Sequence, residues 1–356
     1  MNLRVCIASV VACAALSASS AHAVVLYRSA TRNTSAPSGA FANSGWDLQG
    51  EWGGFLGTPI APHYFVTAGH VGGHTALPFV FQGQSYLPDA AYNGGLGYTQ
   101  IANTDLRIWK VTTAFPTYAS LYDESVDGAV TGKTLIDFGR GVQRGAPIYA
   151  EVVQNDGTIN KSNDLKGWEW GAADGVKSWG TNVVDGAVNG GTGLGTLLSF
   201  SFDRNGLFDE GSLVNNDSGG GMFVQGAGGA WKLAGINLGV DGPYRYAAPV
   251  PGIDADPTFG AALFDQGGLY TFIGNGNYLY QPDLAADIPS GSYVSSIPNN
   301  IAAIRAVIGT PPQVTVPEPT GAAALVIAAT ALARRRTKRS GQPRATHPGL
   351  PTFLPN

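Results

Sequence analysis

The segment LVNNDSGGGM, residues 213–222, places a serine hydroxyl in a glycine-rich turn that can present it to a substrate. A serine hydroxyl becomes a nucleophile when an imidazole takes its proton and a carboxylate orients that imidazole. YFVTAGHVGG predicts a strand that ends in small residues beside His70, and NTDLRIWKV places Asp105 at the start of another strand. These residue types predict hydrolytic chemistry at Ser218, with His70 as the base and Asp105 as the orienting acid.

The same stretches resemble the motifs of a known family. TAGHV, TDLRIWKV and NDSGGGMF resemble, in this order, the three catalytic motifs of the trypsin-like (chymotrypsin-fold) serine proteases. Subtilisins and α/β-hydrolases carry their triads in other orders. IDFGRG, WKLAGINLG and the last predicted helix resemble further parts of the family, so the resemblance covers residues 40–309. It implies a serine endopeptidase that forms an acyl-enzyme at Ser218, with His70 as general base and acid and Asp105 as its partner.

The resemblance also implies where the substrate lies. The backbone N–H groups of Asn216 and Ser218 form the oxyanion hole, and asparagine replaces a customary glycine because it tolerates a left-handed backbone. Ser212 lies at the base of the implied substrate pocket, and the wall of the pocket contains Leu238, Gly239 and Val240. A neutral residue at the bottom of the pocket argues against a preference for Lys or Arg side chains in the substrate. Val240 in place of a glycine favours small apolar side chains.

Asp217, directly before the serine, needs a partner if it is buried. In the family this aspartate often receives the ammonium group of a freshly cut N-terminus, and cleavage before Val24 would expose the β-branched pair Val24 and Val25. The alternative is that backbone N–H groups or a nearby side chain satisfy Asp217 while the new terminus stays mobile. The general mobility of chain termini favours this alternative.

The composition predicts a folded all-β body. Of 356 residues 44% are apolar, which is enough for a large core, while 50 Gly and 22 Pro divide the chain into many short segments. Only residues 300–308 show a helical period. With the resemblance, this predicts two antiparallel six-stranded β-barrels of chymotrypsin type, at roughly 40–134 and 135–309, and a C-terminal helix. Residues 168–195 match no family strand and are expected to form a long loop near the cleft.

Charge and metal ligands exclude several functions. Residues 24–317 contain 14 Lys and Arg against 24 Asp and Glu, a balance of −10, which argues against a nucleic-acid partner. Both cysteines lie in the first 23 residues, so thiol catalysis and cysteine-zinc sites are excluded from the rest. Gly72 and Gly73 make a zinc-binding helix with His70 and His74 improbable. No cofactor and no metal are expected. DGAVTGKT and DRNGLFDE are interpreted as turns.

The ends of the chain predict export. Residues 1–23 have a charged start, an apolar run and Ala21-His22-Ala23, which predicts a signal peptide cleaved before Val24; a lipoprotein site ending at Cys13 is the alternative. Near the other end, a Pro-rich spacer at 310–319 precedes an apolar and basic segment at 320–339 and a disordered tail at 340–356. This order resembles the PEP-CTERM sorting signal of Gram-negative bacteria, which implies an exosortase, transient anchoring in the inner membrane and delivery to the surface. A buried helix is the alternative.

Two other functions remain open from the sequence. One is a surface or matrix binding protein that keeps a protease fold without turnover. Asn216 and the many Gly and Asn loops motivate this alternative. The other keeps the serine chemistry but acts on an ester or on the protein's own chain rather than on a peptide substrate. A distance between His70 and Ser218 beyond about 5 Å would favour the binding protein, since catalysis needs hydrogen-bond reach.

Overall fold

The computed structural model describes residues 24–31, 33–153, 159–246 and 258–309. The predicted signal peptide at 1–23, the spacer at 310–319, the sorting segment at 320–339 and the tail at 340–356 lie outside the described residues. Within the described residues, no helix is long and apolar enough to cross a membrane.

Strands are the main secondary structure of the described residues, and two short α-helices accompany them. The first part of the chain contains β1 (Val25–Leu26), β2 (Gly50–Trp52), β3 (Phe55–Ala61), β4 (Tyr64–Ala68), β5 (Phe79–Phe81), β6 (Gln84–Tyr86), β7 (Tyr98–Gln100), β8 (Leu106–Lys110), α1 (Glu124–Asp127), β9 (Thr134–Gly139), β10 (Val142–Val153) and β11 (Ile159–Ala173). The second part contains β12 (Ser178–Val183), β13 (Gly186–Asn189), β14 (Thr196–Ser201), β15 (Gly211–Ser212), β16 (Gly221–Gln225), β17 (Trp231–Val240), β18 (Tyr244–Arg245), β19 (Ala261–Leu263), β20 (Tyr270–Gly274), β21 (Asn277–Tyr280), β22 (Gly291–Ser296) and α2 (Ile301–Ile308).

Two seven-stranded antiparallel sheets form the framework. The first has the order β6-β5-β2-β3-β4-β8-β7, and the second has the order β12-β9-β16-β17-β22-β14-β13. Smaller sheets are β10-β11-β19, β18-β20-β21 and the pair β1-β15. The all-β prediction with a C-terminal helix is confirmed, although each large sheet contains seven strands where six were expected.

The two large sheets share a hydrophobic core. One cluster of buried side chains joins Leu56 and Val66 of the first sheet to Ile136 and Phe223 of the second. Burial of this apolar surface from both sheets is the main force that holds them against each other. The strand ends that carry the predicted site residues therefore have fixed relative positions.

The C-terminal helix α2 closes this shared core. Its Ile304 is fully buried in the cluster, with Ile301 and Ile308 packed at the edge, as the helical period predicts. Arg305, on another face, donates a hydrogen bond to Asp123 at 2.7 Å, in the turn before α1. The helix is thus anchored by both apolar packing and one ion pair.

The prediction of a long loop at 168–195 is wrong. This segment contains the end of β11, all of β12, and β13, and β12 pairs along its whole length with β9 in the second large sheet. Ser178, Trp179 and Thr181 are buried in this pairing. The Gly and Asn content of the segment suggested a loop, but the strand is stabilised by tertiary contacts that local propensity does not report.

Candidate active site

His70 and Asp105 lie at the ends of paired strands. His70 sits in a 3-10 turn, Gly69–Val71, directly after β4, and Ala68 of β4 pairs with Leu106 of β8. Asp105 precedes Leu106, so the register of the two strands places it beside His70. The backbone N–H of His70 donates to Asp105 Oδ1 at 2.9 Å, and the N–H of Gly69 donates to the Asp105 carbonyl at 2.6 Å. The sheet register therefore sets this half of the site.

The side chains of these two residues also meet. His70 Nδ1 lies 2.6 Å from Asp105 Oδ2. The Asp105 side chain is largely buried, while 43% of the His70 side chain is exposed. A carboxylate bonded to Nδ1 holds the imidazole in the tautomer whose Nε2 is free to accept a proton.

Ser218 lies in the turn between β15 and β16, and β16 belongs to the second large sheet. Its Oγ is 2.8 Å from His70 Nε2, so the two sheets together form a continuous chain of hydrogen bonds from Asp105 through His70 to Ser218. Gly219 follows with φ +79, and a side chain there would collide with the Leu56 carbonyl and the Thr67 hydroxyl of the first sheet. Glycine is therefore needed where the turn packs against the first sheet.

The turn leaves two backbone N–H groups unpaired. Among the described residues, no hydrogen-bond acceptor is found for the N–H groups of Asn216 and Ser218, whereas the N–H of Asp217 donates to the Val214 carbonyl. Asn216 has φ +72, the left-handed conformation expected for this position. Two free N–H groups beside a serine hydroxyl have the composition of an oxyanion hole.

Asp217 is buried beneath the turn and surrounded by backbone donors. Its Oδ1 accepts the N–H of Gly141 at 2.8 Å, and its Oδ2 accepts the N–H of Val214 at 2.9 Å. Interactions with the backbone of Val24 and Arg140 also lower the pKa of this carboxyl. Burial raises the pKa of Asp217 to about 7, and the interactions with these backbone groups oppose that rise. Backbone N–H groups thus bind both oxygens of Asp217 in the uncut chain.

The segment that contains β1 is packed into the body of the uncut chain. Val24, Val25 and Leu26 are each at most 3% exposed, and β1 pairs with β15 so that Val25 lies opposite Ser212. The segment 24–26 therefore enters the interior with Val24 at the Asp217 carboxyl. This burial is that of the uncut chain, so the mobility of the terminus after cleavage stays a prediction.

The predicted pocket residues lie in β15 and at the end of β17, and Ser292 of β22 contacts both segments. Ser212 is buried in β15 and its hydroxyl donates to the Leu213 carbonyl at 3.0 Å, so it presents no charge. Val240, at the end of β17, pairs with Ser292 of β22, whose hydroxyl accepts the N–H of Leu213. Beside it, Leu238 is half-buried and Gly239 is exposed, with open space where a side chain would point.

Sequence reasoning missed a group of polar residues around these positions. Asp241 accepts the N–H of Gly291 at 2.7 Å and the hydroxyl of Tyr293 at 2.9 Å, which ties together the two ends of the segment 241–291 beside the predicted pocket wall. Beneath the serine turn, Asp137 of β9 and Asn237 of β17 are both buried. The signal for Asp137 and Asn237 was present, because each is a polar residue within an apolar strand.

A cluster of three carboxylates surrounds the ammonium group of a lysine, which stands where a metal ion would bind. Asp164, Asp265 and Asp283 lie close enough together for metal binding, but Lys166 Nζ is 2.5 Å from Asp265, 2.8 Å from Asp283 and 2.9 Å from Asp164. The buried ammonium group occupies the position that a cation would need. This cluster therefore has the contacts of a structural ion-pair network.

Comparisons with known proteins add little to this geometry. No protein-family model and no curated protein matches the chain. Among solved structures, the chain is similar to the murine norovirus NS6 protease, crystallised as an inactive mutant with a C-terminal extension. The identity is 14%, the TM-score is 0.31, and the match covers 61% of this chain and 92% of that one.

Proposed function

We propose that this chain is a serine endopeptidase of the trypsin-like type that hydrolyses peptide bonds with His70, Asp105 and Ser218. The observation that supports it is the continuous hydrogen-bond chain from Asp105 Oδ2 through His70 to Ser218 Oγ. The 2.8 Å contact between His70 Nε2 and Ser218 Oγ is well inside the distance beyond which the binding-protein alternative would be favoured.

In this proposal, His70 Nε2 takes the Ser218 proton as Oγ attacks the scissile carbonyl. The carbonyl oxygen becomes an oxyanion stabilised by the N–H groups of Asn216 and Ser218. His70 then gives its proton to the leaving amine, and an acyl-enzyme remains on Ser218. Water, deprotonated by His70, attacks the acyl group, releases the new carboxyl end and restores the Ser218 hydroxyl. Asp105 stays ionised and stabilises the imidazolium that forms in both steps.

The proposed substrate is a peptide with a small apolar side chain at the cleaved position. The neutral Ser212 and the Val240 side chain at the end of β17 support this preference, since the predicted pocket has no fixed negative charge at its base. Cleavage of a peptide library with varied residues at that position tests the preference and separates peptide turnover from ester turnover.

Removal of the residues before Val24 is the proposed activating event. The buried Val24 backbone lies near enough to Asp217 to lower the pKa of its carboxyl, and chain cleavage at that point would turn the Val24 amide into an ammonium beside a carboxylate. The new ion pair would stabilise the turn that carries the two oxyanion donors, because buried charges need a paired partner. The proposed enzyme for this cut is the export signal peptidase.

The proposed location is the cell surface or the extracellular space of a Gram-negative bacterium. The predicted signal peptide and the PEP-CTERM-like segment at 320–339 support it, with an exosortase as the second processing enzyme. Fractionation of cells that produce the chain with and without residues 320–339 tests the location. Equal distribution of both forms would refute the sorting role.

The test of the enzyme proposal is covalent labelling of Ser218 by a fluorophosphonate probe. We expect the chain that begins at Val24 to label, and Ser218→Ala to abolish both labelling and cleavage of a casein substrate. The His70→Ala and Ser218→Ala changes together should cost little more than either alone, because triad members act as a unit. An intact, folded chain that neither labels nor cleaves would refute the proposal.

A further inference from the structure

Two buried oxygen atoms beneath the serine turn lack hydrogen-bond partners among the described residues. They are Asp137 Oδ1 and Asn237 Oδ1. Asp137 is 2% exposed and Asn237 is 1% exposed, so water does not reach either side chain freely. A buried polar atom without a partner costs roughly 1–3 kcal/mol, so a pair of them beside the nucleophile calls for a physical reason.

Both atoms belong to one contact between two side chains. Asn237 Nδ2 donates to Asp137 Oδ2 at 3.1 Å. The same Nδ2 lies 2.9 Å from the Phe138 carbonyl and 3.2 Å from the Asp217 carbonyl. Three acceptors around one nitrogen fix the orientation of the carboxamide, because turning it over would place its oxygen against them. Asn237 Oδ1 is thus the end that still needs a donor.

A proton on Asp137 would supply that donor. An ionised carboxylate only accepts hydrogen bonds, whereas a neutral carboxyl carries one O–H. A carboxylic acid and a carboxamide are complementary, since each offers one donor and one acceptor on the same side. The contact at Oδ2 is one bond of such a pair. The second bond would run from the Asp137 O–H to Asn237 Oδ1 and would satisfy both orphan atoms.

The surroundings of Asp137 favour its neutral form. The strands on either side of β9 place uncharged Gly180 and Met222 opposite it. From the turn, Asp217 is the charged group whose field acts on it. Burial first, and then the charge of Asp217, raise the pKa of Asp137 well above its usual value, although bonds from Asn237 and Phe138 oppose the rise.

Asn237 connects Asp137 to the Ser218 turn through hydrogen bonds. Its backbone carbonyl accepts the N–H of Gly219, and its backbone N–H donates to the Gly220 carbonyl. Its side chain holds the carbonyl of Asp217. Residues on both sides of Ser218 are therefore bonded to Asn237, and the rotamer of Asn237 depends on what lies against its carboxamide.

We propose that Asp137 is a neutral positioning residue that shares its proton with Asn237 Oδ1 and so fixes the backbone around Ser218. It has no contact with substrate and takes no part in proton transfer during the reaction. The role in positioning rests on the proposed function of Ser218, whereas the presence of the proton does not.

The proton is tested by infrared spectroscopy without any activity measurement. The carbonyl stretch of a protonated carboxyl is separate from that of a carboxylate, so the difference spectrum of Ser218→Ala with and without Asp137→Asn at pH 7 isolates Asp137. We expect the protonated band to disappear with Asp137→Asn. It should persist in Glu210→Gln, a matched control that alters another buried carboxyl, one that accepts N–H groups from Asp203 and Leu207. No protonated band at Asp137 would overturn the proposal.

The positioning role is tested by comparing a disruptive and a conservative variant. Asp137→Ala removes the O–H and leaves Asn237 Oδ1 orphaned, so kcat should fall about tenfold with KM unchanged, the kinetic equivalent of one lost buried hydrogen bond. Asp137→Asn keeps one donor and one acceptor in the same places and should restore most of this loss. Equal losses in both variants would overturn the proposal.

The two tests separate the failure of this proposal from that of the enzyme proposal. If Asp137→Ala does not fold, Asp137→Asn and the infrared band still decide the outcome. If the chain has no turnover, a protonated band supports the acid-amide pair while the enzyme proposal fails. If turnover is present and Asp137 is ionised at pH 7, the enzyme proposal stands and the pair is refuted.

Discussion

The two halves of the proposed active site are held in different ways. His70 and Asp105 take their positions from one strand ladder, because β4 and β8 pair in register up to Ala68 and Leu106. The Ser218 turn is held by buried polar groups from distant parts of the chain. Its support comes from Asp217, from Asn237 in β17 and from the Val24 amide.

The two halves also differ in how sensitive the stability of the protein is to substitutions in them. A strand ladder pairs its backbone groups as it forms, so the His70 half needs few extra contacts. Buried carboxyl and amide groups are unfavourable unless each finds a partner, so the Ser218 half tolerates little change. We expect substitutions near His70 to change chemistry without changing stability, and substitutions beneath Ser218 to change both.

The largest expected effect on chemistry alone is that of Asp105→Asn. An amide at this position favours the wrong imidazole tautomer, so kcat should fall about 10⁴-fold. Because the ladder of β4 and β8 remains, the melting temperature should stay within a few degrees of wild type. Steady-state kinetics and calorimetry on the same preparation check both. A large loss of stability would show that the His70 half also depends on buried polar contacts.

Asp217→Asn should affect both turnover and stability. The carboxyl accepts the backbone N–H groups of Gly141 and Val214, one on each oxygen, and an amide turns one acceptor into a donor that faces an N–H group. We expect the free energy of unfolding to drop by roughly 1–3 kcal/mol and kcat to fall by at least about tenfold. Denaturant unfolding and peptide turnover measure these. An active variant with wild-type stability would contradict the view that the turn is held from beneath.

The chain that begins at Val24 should differ from a chain with two extra N-terminal residues. In the extended chain the pKa of Asp217 is raised from 3.8 to about 7, so its folded state binds more protons than its unfolded state. The contribution of Asp217 to stability should therefore be fully present below about pH 4 and be lost as the pH rises through about 7. An ammonium at Val24 lowers this pKa, so the fall should be smaller in the cut chain.

The same pair of chains tests activation. We expect the chain that begins at Val24 to turn over peptides faster, and melting curves between pH 4 and pH 8 to show the smaller decline. Equal turnover and identical pH dependence would refute the ammonium pairing while leaving the triad untouched.

The smallest expected effect is at Asn216. Because its φ is +72, Asn216→Ala should cost about 1 kcal/mol in stability and lower kcat several-fold, whereas Asn216→Gly should match or slightly exceed wild type. Turnover of the two variants, compared at equal folded concentration, checks the sign. If Asn216→Gly lowered turnover and Asn216→Ala did not, the result would show that the Asn216 side chain, rather than its backbone conformation, serves the site.

Much of this arrangement could be predicted from local sequence. Apolar runs bounded by Gly, Asn and Asp placed β4, β8, β16 and β17 close to their observed positions, because strand formation follows side-chain type over a few residues. The spacing of Ile301, Ile304 and Ile308 predicted α2 in the same way. The sequence motifs also selected Asn216 as the residue that adopts a left-handed backbone.

The sequence by itself determined which residues have the chemistry for the site and which elements carry them. Only the tertiary structure decided that 178–183 is a strand of the second sheet, that Val24 lies against Asp217, and that Asp137 faces Asn237. The physical reason is the separation along the chain over which each kind of interaction acts. Residue type and periodicity act over a few neighbours, whereas the partner of a buried polar group is chosen by packing between segments a hundred residues apart.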